Sequence, residues 1–196
     1  MKLEVKNVAC GYGGKTVASG LSLAVSSGES LCLLGPNGVG KTTFFKTILG
    51  LLELKAGKIL LDNEDIGQWS RRQFATKVGY VPQAHSAPFP FKVADVVLMG
   101  RTAHLPVFTA PVRKDREIAA AALDTLGILP LKDRIYTEIS GGERQLVLIA
   151  RALAQQPEFL IMDEPTANLD FGNQIKVLQQ IKKLVREKNM GILMTT

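Results

Sequence analysis

The 196-residue sequence holds only two cysteines, Cys10 and Cys32, and two histidines, His85 and His104. The cysteines lie far apart in apolar or glycine-rich surroundings, so they read as reduced, packed thiols, and no Cys/His spacing suits a structural metal. No apolar run approaches the roughly 18 residues that span a membrane. The opening "MKLEVKNVAC" lacks the charged-then-apolar layout of a signal peptide. Its alternating Leu3, Val5 and Val8 read instead as a strand, and a cytosolic location is expected. Repeats, low-complexity tracts and linkers are also missing.

What is present is ordinary for a globular chain: 46% hydrophobic and 21% charged residues, enough for one domain with a substantial core. The net charge is +6 and the isoelectric point about 9.4. The basic residues are scattered, with short groups at Arg71-Arg72, Arg113-Lys114-Arg116 and Lys182-Lys183. The last group sits in "QIKVLQQIKKLVREK", where Ile175, Leu178, Ile181 and Val185 recur at helical spacing and are expected to form the apolar face. Charge alone supports only a weak preference for anionic surfaces.

Short apolar strands alternate with helical patterns: "LSLAV", "SLCLLG", a helix from about Lys41, then "GKILLD", "KVGYVPQ", "EFLIMDE" and "GILMTT". The alternation predicts an α/β fold with a mixed, largely parallel sheet and an N-terminal antiparallel portion. Between Gln83 and Pro157 strand signals vanish. "KVADVVLMG", "DREIAAAALDTLGI" and "GGERQLVLIARALAQ" read as helices, so a helical subdomain over about 84–157 is expected within a single domain whose α/β core is 1–83 and 158–196.

"GPNGVGKTT" follows the strand "SLCLL" and opens a helix. It comprises Gly35, Pro36, Asn37, Gly38, Val39, Gly40, Lys41, Thr42 and Thr43, with the complete G-x-x-x-x-G-K-T spacing of a P-loop nucleotide ATPase. The three glycines permit turns that aim successive N–H groups at phosphate oxygens, and the helix adds its positive N-terminal end. Lys41 is the expected bridge between the β- and γ-phosphates of ATP, and Thr42 the hydroxyl ligand of Mg2+. "FLIMDE" brings Asp163 and Glu164 to the C-terminal end of a buried strand, where ligands sit in open α/β sheets. Asp163 fits a water-mediated ligand to Mg2+, and Glu164 a general base toward the attacking water.

"EISGGERQLVLIARALAQQPEFLIMDEPTANLD" resembles the ATP-binding cassette (ABC) ATPases, and the resemblance covers essentially the whole chain with the motifs in family order. The family signature Leu-Ser-Gly-Gly-Gln reads here Ile139-Ser140-Gly141-Gly142-Glu143, departing at both ends and keeping the Ser-Gly-Gly core. Ser140 with Glu143 also has the spacing of a helix capping box. The resemblance implies a head-to-tail homodimer in which Ser140, Gly141, Gly142 and Glu143 cover the nucleotide held by the other copy. It further implies that Tyr12 stacks on adenine and that Gln83 joins the metal and water site to a surface facing membrane subunits. The "ANLD" loop ending in Asp170 is implied to communicate across the dimer.

A cassette without its own span works with separate transmembrane permease subunits, and with a substrate-binding protein in importers. "VVLMGRTAHLPVF" and "LDFGNQ" resemble the importer branch for siderophores, haem, cobalamin and oxyanions. The expected function is therefore ATP hydrolysis powering import of metal chelates or related oxyanions, at the inner face of the cell membrane. Two alternatives stand beside it: a cassette acting on nucleic acid or ribosomes, and a module that regulates without turnover. The long heptads of chromosome-type relatives are missing between Thr43 and Ser140, and intact Glu164 argues against the regulator.

The final "GILMTT" reads as a buried strand. The family pattern places a histidine that reaches the γ-phosphate immediately after Thr196. A shortened C-terminus is the expectation, with the 196-residue form binding MgATP but hydrolysing it poorly.

Overall fold

The computed structural model describes residues 1–83, 90–106 and 109–196. The first strands form an antiparallel sheet. β1 (Lys2–Tyr12) pairs with β2 (Lys15–Ser26) on one side and, past β3 (Ser30–Leu33) in the chain, with β4 (Ala56–Leu61) on the other; β5 (Glu64–Asp65) completes the order β2-β1-β4-β5. Leu3, Val5, Val8 and Cys10 of β1 are buried, so the inward parity changes between Val5 and Val8. The cause is a bulge at that point, where Asn7 takes a left-handed φ of 50°.

The second sheet is parallel. It contains β3, β6 (Val78–Val81), β7 (Phe159–Met162) and β8 (Gly191–Thr195) in the order β3-β8-β7-β6. All four residues of β7 are fully buried, as a central parallel strand covered on both faces requires. Phe159 and Ile161 join one core with Phe44, Phe45 and Ile48 of α1 (Lys41–Ile48) and the inward residues of β1 and β4. Leu160 and Met162 face the opposite core, which holds residues of α3 (Val93–Leu98), α4 (Arg113–Thr125), α5 (Gly141–Ala154) and α6 (Phe171–Glu187). The expected mixed α/β class and antiparallel N-terminal portion are found.

α3, α4 and α5 lie between β6 and β7 in the chain. The boundary expected near residue 84 lies outside the described residues, as do His85, Val107 and Phe108. α2 (Arg71–Lys77) was not anticipated; it is fixed by a Ser70–Gln73 capping box. The face of α6 also differs from expectation. Val177, Ile181 and Leu184 are buried, whereas Ile175 and Leu178 are exposed. Two apolar stripes fit one helical period, and α6 turns the second into the core that it shares with α5.

Because the sheet is parallel, the C-terminal ends of β3, β6, β7 and β8 share one edge. Those ends lead into Gly35, Gln83, Asp163 and the Thr195-Thr196 terminus. The fold thus gathers segments that are up to 160 residues apart in the chain.

Candidate functional site

The loop after β3 turns through left-handed conformations at Gly38 (φ 81°) and Gly40 (φ 108°) before α1 begins. Gly35 lies outside that region; its constraint is proximity, since a Cβ there would come within 3.2 Å of Val39 Cγ1. Val39 N–H closes a turn onto the Pro36 carbonyl at 3.4 Å. The N-cap of α1 is Gly40, with no capping side chain and no acidic residue in the first turn. The first N–H groups of α1 therefore have no side-chain acceptor, and the helix end suits an anion.

Asn37, Gly38, Gly40, Lys41, Thr42 and Thr43 line a cavity of about 220 Å³ together with Gln83 and Glu164. The Lys41 ammonium, largely buried, donates to the Gly35 carbonyl and lies 3.9 Å from Glu164 Oε1. The other Glu164 oxygen, Oε2, accepts from Gln83 Nε2 at 2.5 Å. A carboxylate only accepts, so this bond turns the Gln83 amide nitrogen toward Glu164 and leaves its carbonyl oxygen for another partner. Glu164 itself has a left-handed φ of 47°, a conformation that costs a non-glycine residue about 1 kcal/mol. Such strain at the end of a buried strand marks a position held by its surroundings.

Two bonds made by Thr195 hold it. Thr195 Oγ1 donates to Asp163 Oδ1 at 2.9 Å and accepts from the Glu164 N–H at 2.9 Å. Asp163 is 1% exposed and its N–H donates to Val81 O at 2.9 Å, tying β7 to β6. Its negative charge, after burial, helps push the Tyr80 hydroxyl up to about 12. Thr195 escaped the sequence reading because nothing local marks it; its role comes from β8 pairing beside β7.

Thr42, Gln83 and Asp163 supply a hydroxyl, an amide oxygen and a carboxylate. This hard-oxygen set fits Mg2+ far better than a thiophilic metal. Among the described residues no three His, Cys, Asp or Glu side chains form a metal cluster. Tyr12, half exposed at the end of β1, accepts a long 3.5 Å bond from Thr43 Oγ1 and does not line the cavity.

Residues 140–143 also do not line it. Ser140 caps α5, accepting from Glu143 N–H at 3.3 Å, while Glu143 Oε2 accepts from Ser140 N–H at 2.8 Å. The Ser140 N–H, with its hydroxyl second, holds the Glu143 carboxyl below its ordinary value. Asp170 caps α6 through Asn173, and the Asn173 bonds likewise lower its carboxyl. His104, in the stretch resembling the chelate branch, donates Nε2 to Gln155 O at 2.7 Å and closes the end of α5.

A parallel sheet that ends in a glycine-rich loop, an uncapped helix and a strand-borne Asp-Glu pair defines a P-loop nucleotide-binding protein. The profile of the ABC transporter family matches residues 18–167, and the chain belongs to that family as one of its ATP-binding proteins. It is 47% identical over 196 residues to an uncharacterized ABC transporter ATP-binding protein of Haemophilus influenzae, covering 100% of this chain and 74% of that one. It is 39% identical over 194 residues to a Helicobacter pylori protein described as an iron chelatin transport ATP-binding protein, covering 98% and 76%. A structure described as an inward-facing metal-chelate type ABC transporter superposes with a TM-score of 0.87 at 37% identity, over 99% of this chain and 72% of that one. Among the described residues no helix is long and apolar enough to cross a membrane.

Proposed function

We propose that this chain hydrolyses ATP to power a membrane importer of metal chelates or related oxyanions. The observation that carries the reading is the placement of Glu164, whose carboxylate lies between Lys41 and Gln83 at the wall of the phosphate-sized cavity. Backbone N–H groups within residues 37–43 bind the β- and γ-phosphates, and Lys41 turns its ammonium to them. Glu164 orients a water in line with the γ-phosphorus and takes its proton. The water oxygen bonds to phosphorus as the bond to the β,γ-bridging oxygen breaks, and ADP and phosphate leave. Thr42, Gln83 and Asp163 hold Mg2+, which when bound neutralises charge on the phosphates.

Tyr12 stacks on adenine. The separation of residues 140–143 from the cavity supports a homodimer in which Ser140, Gly141, Gly142 and Glu143 of each copy close the other's site, with Asp170 at the contact. Separate permease subunits complete the transporter, with a substrate-binding protein on the far side of the membrane. An apolar groove of about 1040 Å³, walled by Leu49, Leu51, Trp69, Met99 and Leu105 with Arg71 and Arg72 at hand, is the surface best suited to a permease segment. The two relatives described for chelate transport support that cargo class. The competing reading, action on nucleic acid or ribosomes, rests on the scattered +6 charge alone.

The test is Glu164→Gln. The variant should bind MgATP as tightly as the parent and lose about a hundredfold or more in turnover. Turnover at the parent rate removes Glu164 from the base role and the proposal with it.

A further inference from the structure

We propose that Asn173, the fifth residue of "LDFGNQ", locks the signature segment 140–143 to the loop 167–170, so that the two meet the partner copy as one unit. The inference rests on the dimer described above and adds a positioning residue to it.

Asn173 occupies the first turn of α6 and engages both oxygens of one carboxylate. Its N–H donates to Asp170 Oδ1 at 3.0 Å and its Nδ2 to Asp170 Oδ2 at 2.6 Å. The rest of its side chain fills the space in front of Gly142. A Cβ at Gly142 would lie 2.5 Å from Asn173 Cγ and 2.6 Å from its Oδ1, so α5 approaches α6 this closely only because residue 142 is glycine. Beside that contact, a Cβ at Gly141 would meet Leu169 Cδ2 at an ordinary 3.6 Å. The Leu169 carbonyl is in turn fixed by Gln174 Nε2 at 3.0 Å.

Each segment is anchored where it meets its helix. Ser140 and Glu143 fasten the start of α5, and Asp170 fastens the start of α6. The freedom that remains is sliding of one helix start against the other, and the Asn173 side chain stands in its path. Coupling between two sites needs an element that cannot adjust continuously, and close packing of this kind supplies one. With the lock in place, docking of either segment on the partner places the other; without it, each must be ordered separately.

Two variants of the chain test this: Asn173→Ala and Gly142→Ala. The first removes the lock; the second drives a methyl into it, within 2.9 Å even of Asn173 Cβ. Amide hydrogen exchange of the nucleotide-free chain is read first. Asn173→Ala should speed exchange about tenfold in residues 140–143 and 167–170 alike, and Gly142→Ala, which forces the two helix starts apart, should do the same. Loosening of 167–170 alone, with 140–143 still protected, overturns the lock.

The ATPase rate against MgATP concentration is read second. Asn173→Ala should leave the affinity for a fluorescent ATP analogue within about twofold, while the coupling between sites falls about fivefold and a sigmoidal curve becomes hyperbolic. Unchanged cooperativity in a folded Asn173→Ala variant also overturns the inference. Hyperbolic, monomeric turnover by the parent chain is a different failure: it removes the dimer, while the exchange experiment still decides whether Asn173 joins the two segments.

Discussion

Thr195 and Asp163 are joined by a buried 2.9 Å hydrogen bond between the ends of two neighbouring parallel strands. The same hydroxyl accepts from the backbone of Glu164. One oxygen therefore orients the carboxylate proposed to hold Mg2+ and the backbone turn that presents the proposed base. Any distortion at the end of β8 reaches both.

Thr195→Val keeps the shape and removes the hydroxyl. It leaves the buried Asp163 carboxylate without this donor and the Glu164 N–H without its acceptor, at a cost of about 1–3 kcal/mol. The denaturation midpoint should drop accordingly, and ATP turnover should fall further than ATP affinity because the φ of 47° at Glu164 loses its support. Thr195→Ser should recover most of both. Equal turnover in the Val variant and the parent would show that Glu164 is held without Thr195.

Lys41→Ala removes the cation closest to Glu164 and the donor to the Gly35 carbonyl. Affinity for ATP should fall by about two orders of magnitude, with AMP affinity much less affected, because the lost charge faces the terminal phosphates. Equilibrium titration with ATP and AMP checks this. An equal loss for ATP and AMP would place Lys41 elsewhere.

How much of this was legible in the sequence follows from distance along the chain. Gly35 to Thr43 and Asp163-Glu164 lie within single strand-loop units, so spacing alone located them, and the structure gathers the loop, Gln83 and Glu164 at one cavity. Thr195 acts through partners at the end of another strand, which only register reveals, and the contact of Asn173 with Gly142 depends on how α6 packs against α5. The α6 face failed for a related reason, since Ile175/Leu178 and Val177/Leu184 both fit a 3.6-residue period. α2 carried a readable mark, Ser70 three residues before Gln73, but its seven mostly polar residues gave no apolar periodicity.

Arg101 and Asp115 form an ion pair buried under the helical layer, with Arg101 Nε 3.0 Å from Asp115 Oδ1. Arg101 also donates to Ala154 O at 2.7 Å and to Gln156 Oε1 at 3.0 Å, closing the C-terminal end of α5. Asp115 Oδ2 accepts from the Val112 N–H at 3.0 Å and starts α4. The Arg101 hydrogen bond, helped by Val112 N–H and the nearby His104, holds the Asp115 carboxyl below its ordinary value. A carboxyl lowered in the folded state contributes stability that is complete above its unfolded value, about 3.9, and is lost as pH falls through the folded value. The stability difference between the parent and Asp115→Asn should therefore stay constant from about pH 7 to 5 and shrink only below about pH 4. Arg101→Met, which strands the carboxylate among buried groups, should lower the melting temperature at neutral pH by about 5–10 °C and recover part of that loss in acid. Urea midpoints of the three proteins across the pH range check both statements. A difference that shrinks already between pH 7 and 5 would mean that a group other than Asp115 controls this end of α5.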